Sequence, residues 1–343
     1  MSLHAALTPV SPVCHVLLWL FVGPLVAAAS EPLPQPPSAT APTQQAAPAP
    51  RPAKDRYVIG FSQCTVKEPW RVEFNKRLIE HARNNYPNVQ LDVLDADDKT
   101  EKQVADVRSF IRRKVDAILI SPKEAAGLTN VVKEATEAGI PVVVLDRDVH
   151  WDGYAAFVGG DNRLIGRAAG RVAIDLLGGP GRAQGVIYEI CGGLASTPGQ
   201  ERRDGFREVV GQEPGIRIIG GLDCDWKKDR AYSVMQDALK ANPQIDLVYA
   251  HNDPMAHGAY LAAKKAGRAD DIKFIGIDAL PDEGVRWVRS GELTATLLYP
   301  TPGAEGLDIA MRILRGAPVE KRTTLPTRVF TRANVDRGGE EVQ

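Results

Sequence analysis

The sequence predicts an α/β protein of two doubly wound parallel-sheet lobes with a cleft between them. Three observations predict it. From residue 57 onward, strand-like and helix-like segments alternate. The strands are continuous apolar runs, such as Ala117-Ile118-Leu119-Ile120 and Pro141-Val142-Val143-Val144-Leu145, as expected of parallel strands covered on both faces. The whole alternation then begins again after a break near Phe157-Val158-Gly159-Gly160-Asp161.

In the first half, a strand over 57–61 leads to an amphipathic helix over 70–84. A strand over 89–94 and a helix over 99–113 follow, then the buried strand 117–120. The next helix, 130–138, ends at Gly139, a helix-terminating residue, before the strand 141–145. In the second half, a helix over 164–177 is closed by Gly178-Gly179-Pro180-Gly181. Strands at 186–190, 216–220 and 247–250 alternate with helices at 200–210, 231–241 and 256–266. A strand over 273–278, a short helix over 283–290 and a strand over 294–298 complete the pattern.

The N-terminal region differs in kind. Residues 13–26 are an apolar core of signal-peptide length, and Ala27-Ala28-Ala29 offers a small-residue cleavage site before Ser30. No Lys or Arg precedes that core, and a retained anchor is the alternative reading. Residues 30–54 are rich in Pro and Ala and read as a tether. Cys64, Cys191 and Cys224 follow, an odd number without metal-ligand spacing, and a disulfide between two of them stays open. The formal net charge of -1 gives nucleic-acid binding no support.

Catalytic motifs are missing where they would be needed. The glycines of 178–185 precede a strand, whereas a dinucleotide fingerprint follows one and opens a helix. Neither a phosphate loop nor a Gly-X-Ser-X-Gly elbow occurs. The polar residues instead gather at strand ends, where open parallel sheets bind ligands. The clearest case is His251-Asn252-Asp253, which follows the strand 247–250 and offers donors and acceptors suited to a neutral, hydroxyl-rich ligand. Helix capping is the alternative for Asn252, and the preferred reading of Asp253.

Six segments fall in a recognisable order: Gly60-Phe61-Ser62-Gln63, Leu145-Asp146-Arg147, Gly160-Asp161-Asn162, Arg202-Arg203-Asp204-Gly205-Phe206, His251-Asn252-Asp253 and Gly276-Ile277-Asp278. Together they resemble the periplasmic sugar-binding proteins of ABC importers, the ribose/galactose-binding class with the type I fold. Phe61-Ser62-Gln63 with Pro69-Trp70-Arg71 is most similar to the galactofuranose-binding branch. The resemblance implies three crossings between lobes, near 157–161, 299–301 and 323–327. The lobes would then be 55–158 plus 301–322 and 159–300 plus 323–336, with 337–343 as a flexible tail.

Ligand contacts are expected at Ser62, Gln63, Trp70, Arg71, Asn252, Asp278 and Tyr299, and the resemblance makes Arg147 a sugar contact and Asp146 its orienting partner or a second contact. A Trp face stacks on the C–H face of a sugar, and an Arg supplies a planar fork of donors. Asp278 can accept two hydroxyl hydrogen bonds, with helix capping as its alternative. A core aromatic is the alternative for Trp70, a solvated first-turn residue for Arg71, and a loop-pinning salt bridge for Asp146 and Arg147. Ribose-binding relatives place an arginine six residues before the Phe of the Gly-Phe pair, where this chain has Gln200. Ser196, Thr197 and Gln200 are the candidates to reach ligand in its place.

The expected protein is a periplasmic, non-enzymatic monomer without cofactor or metal. It captures a pentose or hexose, with a furanose form included, and delivers it to an ABC permease. The alternative is a subunit that presents a sugar-like signal to a sensor ectodomain.

Overall fold

The computed structural model describes residues 54–342. The signal peptide expected over 1–29 and the tether expected over 30–54 lie, up to residue 53, outside the described residues.

The first lobe opens with β1 (Tyr57–Gln63), α1 (Pro69–Asn85), β2 (Val89–Asp95), α2 (Thr100–Arg113) and β3 (Ala117–Ser121). It continues through α3 (Ala125–Glu137), β4 (Val142–Leu145) and β5 (Ala156–Gly160). The second lobe begins with α4 (Asn162–Leu176), β6 (Gln184–Cys191), α5 (Thr197–Val210), β7 (Gly215–Asp223) and α6 (Lys228–Ala241). Then come β8 (Leu247–Ala250), α7 (Asp253–Lys265), β9 (Lys273–Asp278), α8 (Arg286–Ser290) and β10 (Ala295–Leu298). The chain returns to the first lobe as α9 (Gly303–Leu314) and β11 (Arg322–Leu325), and ends in the second as β12 (Arg328–Thr331) and β13 (Glu340–Glu341).

The first sheet is six-stranded, in the order β11-β5-β4-β3-β1-β2, and entirely parallel. The second is seven-stranded, in the order β13-β12-β10-β9-β8-β6-β7, with β12 and β13 antiparallel at one edge. β3, β4 and β8 are buried throughout their length, which explains their unbroken apolar sequences. One core joins the α1/α9 face of the first sheet to the α4/α5 face of the second; α2 with α3, and α6 with α7, cover the opposite faces.

Several sequence expectations need correction. Gly159 and Gly160 belong to the first sheet, as do Thr323, Thr324 and Leu325, whose ladder runs Thr323↔Val158, Thr324↔Gly159 and Leu325↔Gly160. The first and third boundaries therefore shift to about residues 161 and 326, within the crossings expected near 157–161 and 323–327. β11 is an exposed, polar edge strand, so it has no apolar run to read. α3 starts at Ala125 rather than 130, because its first turn is built from small residues. The presumed tail is tied down: Glu340–Glu341 pair with β12, and Arg328 donates to the Gly338 carbonyl at 2.7 Å. Among the described residues, Cys64, Cys191 and Cys224 are free and buried. Cys224 packs with Met235 on one side of the second sheet, while Cys191 faces Glu189 and His251.

Candidate functional site

The carboxyl ends of both sheets converge on a cleft. β4 delivers Asp146 and Arg147, the start of α1 delivers Trp70 and Arg71, and the connection after β10 delivers Tyr299. From the second lobe, the end of β8 supplies Asn252 and the end of β9 supplies Asp278. The two carboxylates stand on left-handed backbone, with φ of +66° at Asp146 and +135° at Asp278. Such conformations are unfavourable for L-residues and recur at functional sites.

Asp146 is an anchored charge. Its Oδ2 accepts from Arg71 Nη2 at 3.0 Å and Ser121 Oγ at 2.9 Å, and its Oδ1 accepts from the Tyr299 hydroxyl at 2.5 Å. Arg147 Nε lies 3.8 Å from Oδ2. Burial works against the Asp146 charge, but Arg71, Arg147 and these hydroxyls outweigh it and hold the carboxyl below its ordinary range. Arg71 is held by Gln63 Oε1 at 2.8 Å and Glu68 Oε2 at 3.1 Å. The guanidinium is thus fixed in one orientation.

Asp278 is the opposite case. Its carboxyl makes no hydrogen bond among the described residues, and burial pushes its pKa well above the ordinary value despite the nearby Arg202, with Asp253 adding to the rise. A buried carboxyl with unfilled hydrogen-bonding capacity, opening on a cleft, is suited to a ligand that brings hydroxyls. Asn252 has two roles: its Oδ1 caps α7 at Met255 N (3.0 Å) and its Nδ2 donates to the Trp226 carbonyl at 3.2 Å. Asp253 faces away, accepting from Thr296 Oγ1 at 2.7 and 2.8 Å and from Ala279 N at 2.7 Å.

Seven of the sequence candidates line the cleft: Trp70, Arg71, Asp146, Arg147, Asn252, Asp278 and Tyr299. Five do not. Ser62 is buried in β1 with its hydroxyl unpartnered. Gln63 sits behind Arg71, bridging it to Asn75 through a 2.9 Å bond. Ser196 turns back to the Gly193 carbonyl at 2.6 Å, and exposed Gln200 donates to the Leu194 carbonyl at 2.8 Å. Thr197 Oγ1 accepts from Asp148 N at 3.0 Å across the lobes and faces a separate bay beside the hinge.

Arg202 and Trp226 are among the cleft residues that escaped the sequence reading. Arg202, among the largest fully buried side chains, donates to Asn162 Oδ1 at 2.9 Å and to the His251 carbonyl at 2.5 Å. Its guanidinium lies 4.2 Å from the Tyr299 ring centroid. Position made it legible: it is one turn before Phe206 on the buried face of α5. Gly205 lets α5 approach α4 closely, since a Cβ there would lie 2.2 Å from the Arg163 carbonyl oxygen. Trp226, in the turn after β7, has Arg147 and Arg202 each 5.4 Å from its ring. Its signal was an aromatic side chain in a loop at a strand's carboxyl end.

Glu189, Cys191 and His251 bring one ligand-type atom each within 4.8 Å of one another. Arg207 already binds Glu189 Oε2 through Nε at 2.8 Å, and burial pushes the Cys191 thiol up to about 12. This is a neutralised ion pair beside an inert thiol, and it does not present a free set of metal ligands.

A family model described as a periplasmic binding protein domain matches residues 59–318. The ribose import binding protein RbsB of Bacillus subtilis (strain 168) is 29% identical over 292 residues, 84% of this chain and 92% of that protein. The galactofuranose-binding protein YtfQ of Escherichia coli (strain K12) is 32% identical over 277 residues, 78% of this chain and 85% of that protein. Among solved structures, the fructose binding periplasmic domain of hybrid two component system BT1754 is 40% identical with a TM-score of 0.78, covering 82% of this chain and 93% of that one. This chain belongs to the periplasmic binding protein family, with the type I two-lobed fold, and is a binding protein and not an enzyme.

Proposed function

We propose that this protein captures one monosaccharide, a pentose or hexose in furanose or pyranose form, between its lobes and hands it to an ABC permease. The observation that carries the reading is the pairing of Asp278, a buried carboxyl without a hydrogen-bond partner, with a wall of fixed guanidinium groups and indole faces. Charged donors and an open carboxyl held in place match hydroxyls in pairs, and aromatic faces match C–H surfaces. A neutral ring buried there depends on the protein for every hydrogen bond, so an epimer that misplaces one hydroxyl binds far more weakly. The ribose and galactofuranose relatives support the same ligand class.

In this reading the three crossings act as the hinge, residues 1–29 direct export and are removed, and the mature protein works as a periplasmic monomer. N-terminal sequencing of the exported protein and light scattering test those points. A sensing role is the second reading, favoured by the likeness to a periplasmic domain of a two-component system.

The test is a thermal-shift screen of ribose, galactose, fructose, arabinose, allose and myo-inositol, followed by calorimetry. At ligand one hundred times the dissociation constant, binding adds about 2.7 kcal/mol of stability. One responding sugar whose epimers are silent, and whose binding is lost in Asp278→Asn, supports the reading. Silence across the panel, or a response unaltered by that variant, overturns it.

A further inference from the structure

Away from the ligand cleft, four charged side chains meet where the lobes face each other. Asp98, after β2, and Lys123, after β3, come from the first lobe; Asp225 and Lys227, after β7, come from the second. Lys123 Nζ lies 2.6 Å from Asp98 Oδ1 and 3.9 Å from Asp225 Oδ1. Lys227 Nζ lies 2.6 Å from Asp225 Oδ2 and 3.3 Å from Asp98 Oδ2. Each aspartate therefore touches a lysine of its own lobe and a lysine of the other. Arg230, 3.6 Å from Asp225, extends the network on the second lobe.

We propose that this quartet is an electrostatic latch that holds the lobes closed, and that it makes closure dependent on ionic strength. Isolated surface ion pairs contribute little, but these four side chains are only 16% to 39% exposed and form a connected alternating network, the arrangement in which such pairs do contribute. Opening the lobes would break both cross-lobe contacts and leave each lobe with one neutral pair. Salt competes for the separated charges over a Debye length of about 10 Å at 0.1 M.

The latch is wired to the ligand cleft by covalent adjacency. Trp226 stands between Asp225 and Lys227, and its ring lines the cleft near Arg147 of the first lobe and Arg202 of the second. Asp225 and Trp226 both adopt left-handed backbone, with φ of +49° and +64°, which gives the turn one shape. Gly192 supports that shape from beneath, because a Cβ there would lie 2.2 Å from the indole. Displacing the charges therefore displaces the indole.

The test needs no ligand, so its failure is separate from failure of the sugar reading. Spin labels at Val72→Cys and Leu222→Cys, one exposed position on each lobe, report the interlobe distance in a chain that also carries Cys14→Ser, while Cys64, Cys191 and Cys224 stay buried. Asp98→Asn is the main variant, since Asn tolerates the φ of +63° at that position; Lys227→Gln is the second. In 20 mM salt, each variant lowers the closed-to-open ratio roughly fivefold. The combined variant adds little to either, because both remove the Lys227–Asp98 contact, and 0.5 M salt lowers the parent's ratio more than theirs, which keep only Lys123–Asp225 across the lobes. A parent distribution that ignores salt and matches both variants, or one that is wholly open at every salt concentration, overturns the latch.

Discussion

The indole of Trp70 lies on the ring of Tyr299, centroids 4.9 Å apart and planes inclined by 23°, and its Nε1–H donates to the Tyr299 carbonyl at 2.8 Å. Residues read from the sequence as two ligand contacts are thus also each other's support. Trp70 opens α1 of the first lobe, while Tyr299 sits on the connection leaving β10 of the second. The pair fixes this interlobe connection directly against the cleft wall.

Tyr299→Phe keeps the stacked ring and removes the hydroxyl that donates to Asp146 Oδ1. A hydrogen bond to a buried charged group is lost, and unfolding free energy falls by about 2 kcal/mol. Urea unfolding of the ligand-free protein measures it; an unchanged midpoint would remove Tyr299 from the support of Asp146.

Arg202→Met should weaken sugar binding by about 100-fold or more, because a charged donor leaves a cleft closed to water. Arg202→Lys should not restore it. The guanidinium donates from separate nitrogens to Asn162 and the His251 carbonyl, and an ammonium lacks that planar fork. Calorimetry with the sugar found in the screen decides the matter, and normal affinity in the lysine variant would reduce Arg202 to a positive charge.

Asp253 makes ligand-free stability fall with rising pH. Burial pushes its carboxyl from 3.8 to about 7, against the bonds from Thr296 and Ala279. A raised folded-state value means that the native state binds the proton more tightly, so this contribution is present below the unfolded value and lost as pH rises towards 7. His251 and His257 run the other way: burial holds both below 6.5, so their contribution is lost as the solution is acidified. Asp253→Asn isolates the carboxyl from them. Between pH 4 and pH 8 the parent should lose about 4 kcal/mol relative to this variant, read from paired urea titrations. Parallel pH profiles would show that Asp253 stays ionised.

Ser62→Ala and Gln200→Ala should leave sugar affinity within about twofold of the parent, although both positions resemble ligand contacts in sequence. The Ser62 hydroxyl is buried without a partner, so its removal is neutral or stabilising. Gln200 is exposed and bonded to the Leu194 carbonyl. A tenfold loss in either variant would place that residue on the ligand.

The strands and most helices were legible because buried parallel strands must be apolar on both faces, and the helices covering them must be amphipathic. β5, β11 and β12 were not. β5 is rich in glycine, while β11 and β12 are short and partly exposed, and their places come from ladders with partners far along the chain. At the site, strand-end polar clusters pointed to Asp146, Arg147, Asn252 and Asp278, because a strand end in such a sheet has a predictable location. The loop before α5 misled. Ser196, Thr197 and Gln200 have suitable chemistry, but the turn directs Ser196 and Gln200 to backbone carbonyls and Thr197 to the other lobe's backbone.

By itself, then, the sequence determined the alternating α/β architecture, its repetition as two lobes and the strand ends that could carry a site. These follow from local periodicity and composition, which neighbouring residues suffice to express. Only the tertiary structure decided that Asp146 is saturated while Asp278 is open, that Arg202 and Trp226 enter the cleft, and that Asp98 meets Lys227. Those facts depend on distances between residues remote in sequence, and on burial that sets a carboxyl's charge only after the surrounding donors are in place.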